Sequence, residues 1–260
     1  MVERVATGIE GLDKALNGGI PKGNVVLVSG GAGTGKSTLC LQYLINGIKM
    51  GDKGLYISTE QTRKELARTA QSFGWDLDKL ENDGKLRIAY FDVVETDGFL
   101  EKIYELYSTF LPKRVVVDSL TTLADSLLVS NISEKQGFTL VRVAESVSPI
   151  PQSERIIAKN LLYHLMKKLR LFDSTTFLTS ELIEGEKGLS ADQISEFICD
   201  GVIILNVQEI AKKTVRSLKV RKMRNTKHEL DSFLIEFGVG GVVVLQENVF
   251  EGKKISGIIQ

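Results

Sequence analysis

Asn24-Val25-Val26-Leu27-Val28-Ser29, followed at once by Gly30-Gly31-Ala32-Gly33-Thr34-Gly35-Lys36-Ser37, decides how this chain folds. The first six residues are a short, nearly all-apolar run between glycines, the pattern of a strand buried on both faces. The next eight fit GxxxxGK[ST]. Lys36 to Met50 then places Leu39, Leu41, Leu44, Ile45 and Ile48 on the inner face of a helix. Each loop position has a physical task. The glycines let successive backbone N–H groups from Gly31 through Ala32, Gly33, Thr34, Gly35 and Lys36 to Ser37 and Thr38 curl around phosphate oxygens. Lys36 supplies a point charge for the outer phosphates, the Ser37 hydroxyl can ligate Mg²⁺, and the helix start adds its partial positive charge. The stretch predicts a nucleotide site.

Working outward, Gly54–Thr59, Leu86–Phe91, Arg114–Asp118, Thr175–Thr179 and Val202–Val207 read as further strands. Thr62 with Glu65 three residues on is a capping box that opens a helix. Helical spacing recurs around Leu100–Leu111. It returns over Ser153–Leu171, where Ile157, Leu161, Leu165 and Leu162, Met166, Leu169 form the apolar stripe. The last third has neighbouring strands without helices between them. The expected fold is α/β: a mostly parallel sheet flanked by helices, with antiparallel strands at its C-terminal edge. Residues 126–151 and 182–191 are the least regular.

Two carboxylates fall at strand ends. Asp118 closes the run Val115–Val117, where a strand tip can bring a carboxylate to a Mg²⁺ shell. Glu60 follows the strand at 54–59 and could orient or deprotonate an attacking water. A surface carboxylate at a strand end is the plain alternative for each.

The whole chain has 260 residues, 43% hydrophobic and 25% charged, with 33 basic and 33 acidic side chains. That size suits one domain over 1–260, with about 246–260 as a tail. Neutrality argues against a polybasic or histone-like protein. Only Cys40 and Cys199 are present, with no disulfide or CxxC metal framework, which predicts a reducing, cytoplasmic setting. No apolar run is long enough to span a membrane, and the N-terminal residues lack a signal-peptide core.

Neutrality hides an asymmetry: residues 212–227 hold eight basic side chains and no acid. Read by twos, Leu218, Val220, Lys222 and Arg224 share one strand face, and Lys219, Arg221 and Met223 the other. The segment could be an edge strand protected by charge, a nucleic-acid patch, although it has no aromatic residue for stacking, or a pair of cationic fingers for a phosphate held by another subunit.

Several motifs in order resemble the KaiC branch of the RecA superfamily. They are Thr7-Gly8-Ile9-Glu10-Gly11-Leu12-Asp13, Asn17-Gly18-Gly19-Ile20-Pro21-Lys22-Gly23, the loop at 30–37, and Gln71-Ser72-Phe73-Gly74-Trp75-Asp76-Leu77. Val115-Val116-Val117-Asp118-Ser119-Leu120, Glu196-Phe197 with Asp200, Lys222-Met223-Arg224-Asn225-Thr226-Lys227-His228 and the end Phe250–Gly257 continue the likeness. The resemblance implies a RecA-like P-loop ATPase, using ATP and Mg²⁺, that assembles as a ring, usually a hexamer, with nucleotide between protomers. One protomer would supply the loop, Glu60, Ser72 and Asp118, with Ser37 and Asp118 at the metal. The next would supply Lys222, Met223, Arg224, Thr226 and His228, with Lys222 and Arg224 near the γ-phosphate. On that resemblance the catalytic set is Lys36, Glu60, Lys222 and Arg224.

Two departures matter. The family's paired glutamates after the second strand are here Glu60-Gln61, which keeps the first. Its self-phosphorylated Ser-Thr pair is replaced by Glu196-Phe197, which carry no hydroxyl, so self-phosphorylation there is not expected. A regulatory or signalling ATPase follows, with transfer to a Ser or Thr of a partner protein left open. The competing readings are a DNA recombination or repair ATPase and an assembly module that binds ATP without turning it over. The segments 126–151 and 182–191 that would line a DNA channel carry Glu134, Lys135, Arg142, Glu145, Glu184, Glu186 and Lys187, with no basic excess.

Overall fold

The computed structural model describes residues 2–92, 99–123, 152–182, 188–210 and 213–248. The elements run β1 (Arg4–Val5), α1 (Glu10–Ala15), β2 (Ile20–Pro21), β3 (Val25–Gly30), α2 (Lys36–Lys49), β4 (Gly54–Ser58), α3 (Arg63–Ser72), α4 (Leu77–Asn82) and β5 (Leu86–Tyr90). They continue with α5 (Phe99–Phe110), β6 (Arg114–Asp118), α6 (Gln152–Arg170), β7 (Thr175–Glu181), α7 (Ser195–Ile198), β8 (Gly201–Ile210), β9 (Lys213–Met223), β10 (Ser232–Gly238) and β11 (Gly241–Asn248).

Nine strands form one sheet in the order β11-β10-β9-β8-β3-β7-β6-β4-β5. From β8 to β5 the pairing is parallel, and β9, β10 and β11 add antiparallel. The expected architecture is therefore the observed one. β3 is buried throughout because it lies inside the sheet with helices on both faces. Its side chains alternate accordingly: Val26 and Val28 join Leu39, Tyr43 and Leu44 of α2 in one core layer, and Val25 and Leu27 join Leu162, Leu165 and Leu169 of α6 in the other. Arg114, almost fully buried, donates to Asp52 at 2.7 Å and to the Tyr43 carbonyl at 3.2 Å, which ties the far end of α2 to β6.

Thr62 caps α3 as read, with the reciprocal contact from Glu65 present. The period-two reading of 218–224 is corrected by a β-bulge. Val202 pairs with Lys222 but Ile203 pairs with Val220, so Arg221 is the extra residue and the alternation flips. Leu218, Val220 and Met223 consequently share one core layer, and Lys222 leaves the face of Leu218 and Val220. The tail placed at about 246–260 begins too early, since β11 runs to Asn248. The motif Phe250–Gly257, the whole of 126–151 and residues 183–187 lie outside the described residues. Among the described residues no helix is long and apolar enough to cross a membrane.

Candidate nucleotide site and basic pair

The parallel strands bring their C-terminal ends to one edge, the usual place for ligands in such sheets. β3 ends there in the glycine loop, β4 leads to Glu60, β6 ends at Asp118 and β7 at Glu181. Gly33 and Gly35 take positive φ, 70° and 102°, and Gly35 is the N-cap of α2. A Cβ at Gly33 would meet nothing within 4 Å, so the curl is open, whereas one on Gly35 would lie 2.5 Å from Phe237. Lys36 Nζ donates to the carbonyls of Gly30 (2.9 Å) and Gly31 (3.1 Å) and stands 3.5 Å from Glu181. Thr34 closes the loop by donating to Gly31 O at 2.9 Å. Ala32 is exposed, Ser37 is half-buried and Thr38 is buried at the root of α2.

β4 and β6 pair with Ser58 opposite Asp118, which sets the two candidate carboxylates side by side. Asp118 is buried. Tyr56 donates to its Oδ2 at 2.5 Å, and Thr179 donates to its Oδ1. Burial, then the charge of Asp118, pushes the Tyr56 phenol far above its ordinary pKa, so it stays a donor, and it also meets the Ser37 hydroxyl. Ser37, Tyr56 and Asp118 thus form one connected group. Across the gap, Glu60 Oε1 accepts from Ser119 and, at 2.9 Å, from Thr122. Both contacts fall on one oxygen of a residue that is exposed as a whole. An open curl of amides, a lysine beside it and a hydroxyl–carboxylate pair fit a Mg²⁺–nucleotide: Ser37 and Asp118 would hold the ion.

A second group borders the loop. Arg216 donates to Gly33 O at 3.3 Å and stacks 4.8 Å over Phe237, and Phe237 lies 6.1 Å from Phe73. Ser72, next to Phe73, is exposed and donates to Thr69 O at 2.7 Å.

Lys222 and Arg224 lie elsewhere. Arg224 is tied to Asp200, whose carboxylate accepts the Val25 amide at the opposite end of β3 from the loop. Five residues of strand separate Val25 from Gly30, about 16 Å, beyond the reach of one arginine side chain. Lys222 spends its three donors on Glu196 O (3.0 Å), Phe197 O (3.2 Å) and Cys199 O (2.7 Å), bracing the end of α7. Burial, then the charge of Arg224, lowers its pKa. Met223 buries its side chain against Gly201, so only its backbone is available to a ligand. Thr226 accepts from Arg4 at 3.0 Å, and half-buried His228 contacts Glu229 O at 3.2 Å. The structure therefore gathers the loop, Glu60 and Asp118, and keeps Lys222, Arg224, Thr226 and His228 apart from them within one chain.

Tyr56, Thr179, Ser119, Thr122, Glu181 and Arg216 border the site without having been singled out in the sequence. Ser119, directly after Asp118, and Arg216, inside the basic segment 212–227, carried a positional hint.

Comparisons with known proteins bear on the family and the fold. A UPF0273 protein of Pyrococcus furiosus is 32% identical over 255 residues, covering 98% of this chain and 99% of its own. The circadian clock oscillator protein KaiC of Prochlorococcus marinus is 31% identical over 258 residues, covering 94% of this chain and 45% of that protein. A crystal structure of a KaiC-like protein from Pyrococcus horikoshii superposes with a TM-score of 0.76 at 36% identity, covering 94% of this chain and 99% of that one. The KaiC ATPase family pattern matches residues 5–249, and the chain belongs to that family.

Proposed function

We propose that this chain binds ATP with Mg²⁺ and hydrolyses it within a ring of identical subunits, each nucleotide lying between two of them. The observation that carries this reading is the separation along β3. The phosphate loop sits at one end of the strand and Arg224 at the other, so for Arg224 to meet a triphosphate the nucleotide must be held by another copy. A surface at one end that meets a different surface at the other is a heterologous contact, and such contacts form a ring where the rotation between neighbours closes.

In this mechanism the loop amides and Lys36 hold the phosphates. Glu60, fixed through Oε1, accepts a proton at Oε2 from water as its oxygen attacks the γ-phosphorus and the bond to the bridging oxygen breaks. Mg²⁺, when bound, neutralises charge on the phosphate oxygens. Arg224 of the next copy meets the charge that develops on the transferred group. The hydroxyl-held Glu60 weighs against a module that binds without turnover.

The test is complementation. Lys36→Ala should abolish turnover, and Arg224→Ala should lower it about 1000-fold. Mixed in equal amounts, they should recover about a quarter of wild-type activity, because a quarter of the interfaces in a heterologous ring then pair two intact halves. No recovery would remove the shared site. Labelled ATP added to lysate reads the acceptor: label in inorganic phosphate supports hydrolysis alone, and label on another protein supports a regulatory kinase.

A further inference from the structure

Asp200 lies between α7 and β8 and is 9% exposed. Its carboxylate gathers donors from three elements. Oδ1 accepts from Arg170 Nη2 and Arg224 Nη1, both at 3.0 Å, and Oδ2 accepts from the Val25 amide at 3.1 Å and Arg170 Nε at 3.4 Å. Its backbone joins in: its N–H donates to Val25 O, and its carbonyl accepts from the Arg224 N–H, both at 2.8 Å. One buried acid therefore fixes the start of β3, the end of α6 and Arg224 relative to one another.

The treatment of the two cations differs. Lys222 has no donor to spare, as described above. Arg224 gives one N–H to Asp200 and one to Phe197 O at 3.3 Å, while its side chain remains 48% exposed. A guanidinium carries five N–H donors, so the remaining three can face outward. The stem of an exposed arginine is flexible, and ordering it costs rotamer entropy. Asp200 has already ordered it. It also screens two like charges, since Arg170 and Arg224 converge on the same oxygen.

We propose that Asp200 is a positioning residue that holds Arg224 of one copy in the pose in which it meets the nucleotide of the next. The inference rests on the shared-site reading above and deepens it: of the two cations, Arg224 reaches outward and Lys222 braces α7. Because a misplacement of about 1 Å can cost about 100-fold in rate, the loss of this hold is visible in turnover without any loss of nucleotide binding.

The experiment compares Asp200→Asn, Arg224→Ala and the double variant in steady-state ATP hydrolysis. Asparagine keeps an oxygen for the Val25 amide and removes the charge. Asp200→Asn is expected to lower kcat about tenfold with KM for ATP within about twofold, the pattern of an interaction made in the transition state. Arg224→Ala should lower kcat about 1000-fold, as loss of an arginine finger does. The double variant should match Arg224→Ala within about twofold, since a residue that acts through Arg224 has nothing left to position. Mixing with Lys36→Ala should restore Asp200→Asn as it restores Arg224→Ala. A double variant slower than Arg224→Ala by the full Asp200→Asn factor, with Arg224→Ala still complemented, overturns the positioning role alone. Failure to complement Arg224→Ala overturns the shared site and this inference with it. If Asp200→Asn does not fold, Asp200→Glu takes its place: a smaller fall in kcat that vanishes in the Arg224→Ala background is expected, and a fall that persists there is the refuting result.

Discussion

Replacing Tyr56 by phenylalanine removes one oxygen from the centre of the candidate metal group and leaves the ring in place. That oxygen donates to Asp118 Oδ2 at 2.5 Å and meets the Ser37 hydroxyl, while Thr179 keeps Oδ1. A hydrogen bond to a buried carboxylate contributes about 2 kcal/mol, which for a chain of this size lowers the Tm by about 4–8 °C. The functional effect is separate. With Oδ2 released, Asp118 can rotate about its remaining contact, and loss of such outer support weakens metal binding by about tenfold or more. The assay is binding of a fluorescent ATP analogue at rising Mg²⁺, alongside thermal melting. The expected result is a lower Tm together with a Mg²⁺ midpoint raised about tenfold, with metal-free nucleotide binding near that of the parent. A lower Tm with an unchanged Mg²⁺ midpoint would refute the reasoning and leave Tyr56 as an ordinary buried hydrogen bond. Thr179→Val tests the other oxygen in the same way.

Gly35→Ala forces a side chain into φ 102° and against Phe237, so nucleotide binding measured by titration should be lost while circular dichroism shows a folded chain. Glu60→Gln should leave ATP binding intact and cut hydrolysis at least about 100-fold. Thr122→Val, which removes one of two hydroxyls on Oε1, should cost about tenfold or less in kcat with KM unchanged. Burial raises the Cys40 thiol well above its ordinary range and the Cys199 thiol to about 12. Alkylation at pH 8 followed by mass spectrometry should therefore label neither in the folded protein and both after denaturation.

The parts of the site that the sequence revealed are those whose logic is local. The glycine loop is framed by a strand before it and a helix after it, and Thr62 and Glu65 sit three residues apart; a linear reading captures both. The parts it concealed depend on register between distant segments. Tyr56 reaches Asp118 across 62 residues because β4 and β6 pair, and Thr122 reaches Glu60 for the same reason. No spacing along the chain encodes that pairing. The bulge at Arg221 is invisible for a related reason, since a period-two count assumes an unbroken ladder and one extra residue reverses it. β1 and β2, two residues each, are too short to show any period.

The basic stretch at 212–227 illustrates how folding redistributes a charge that looks uniform in sequence. As β9 its residues 213–223 lie along β8, so Arg216 near one end and Arg224 just past the other are held far apart. Arg216 ends beside Gly33 at the loop end, stacked on Phe237. Arg224 ends beside Val25 at the other, and Lys222 is consumed by the carbonyls of α7. A nucleic-acid surface needs cations free to meet phosphates; here Arg216 and Arg224 stand at opposite ends of the strand, and the donors of Lys222 are taken by backbone carbonyls. The same separation that weakens a DNA-binding reading is what a shared nucleotide site requires. Within one chain the loop lies at one end of β3 and Arg224 at the other, so a site that used both would have to draw them from two copies.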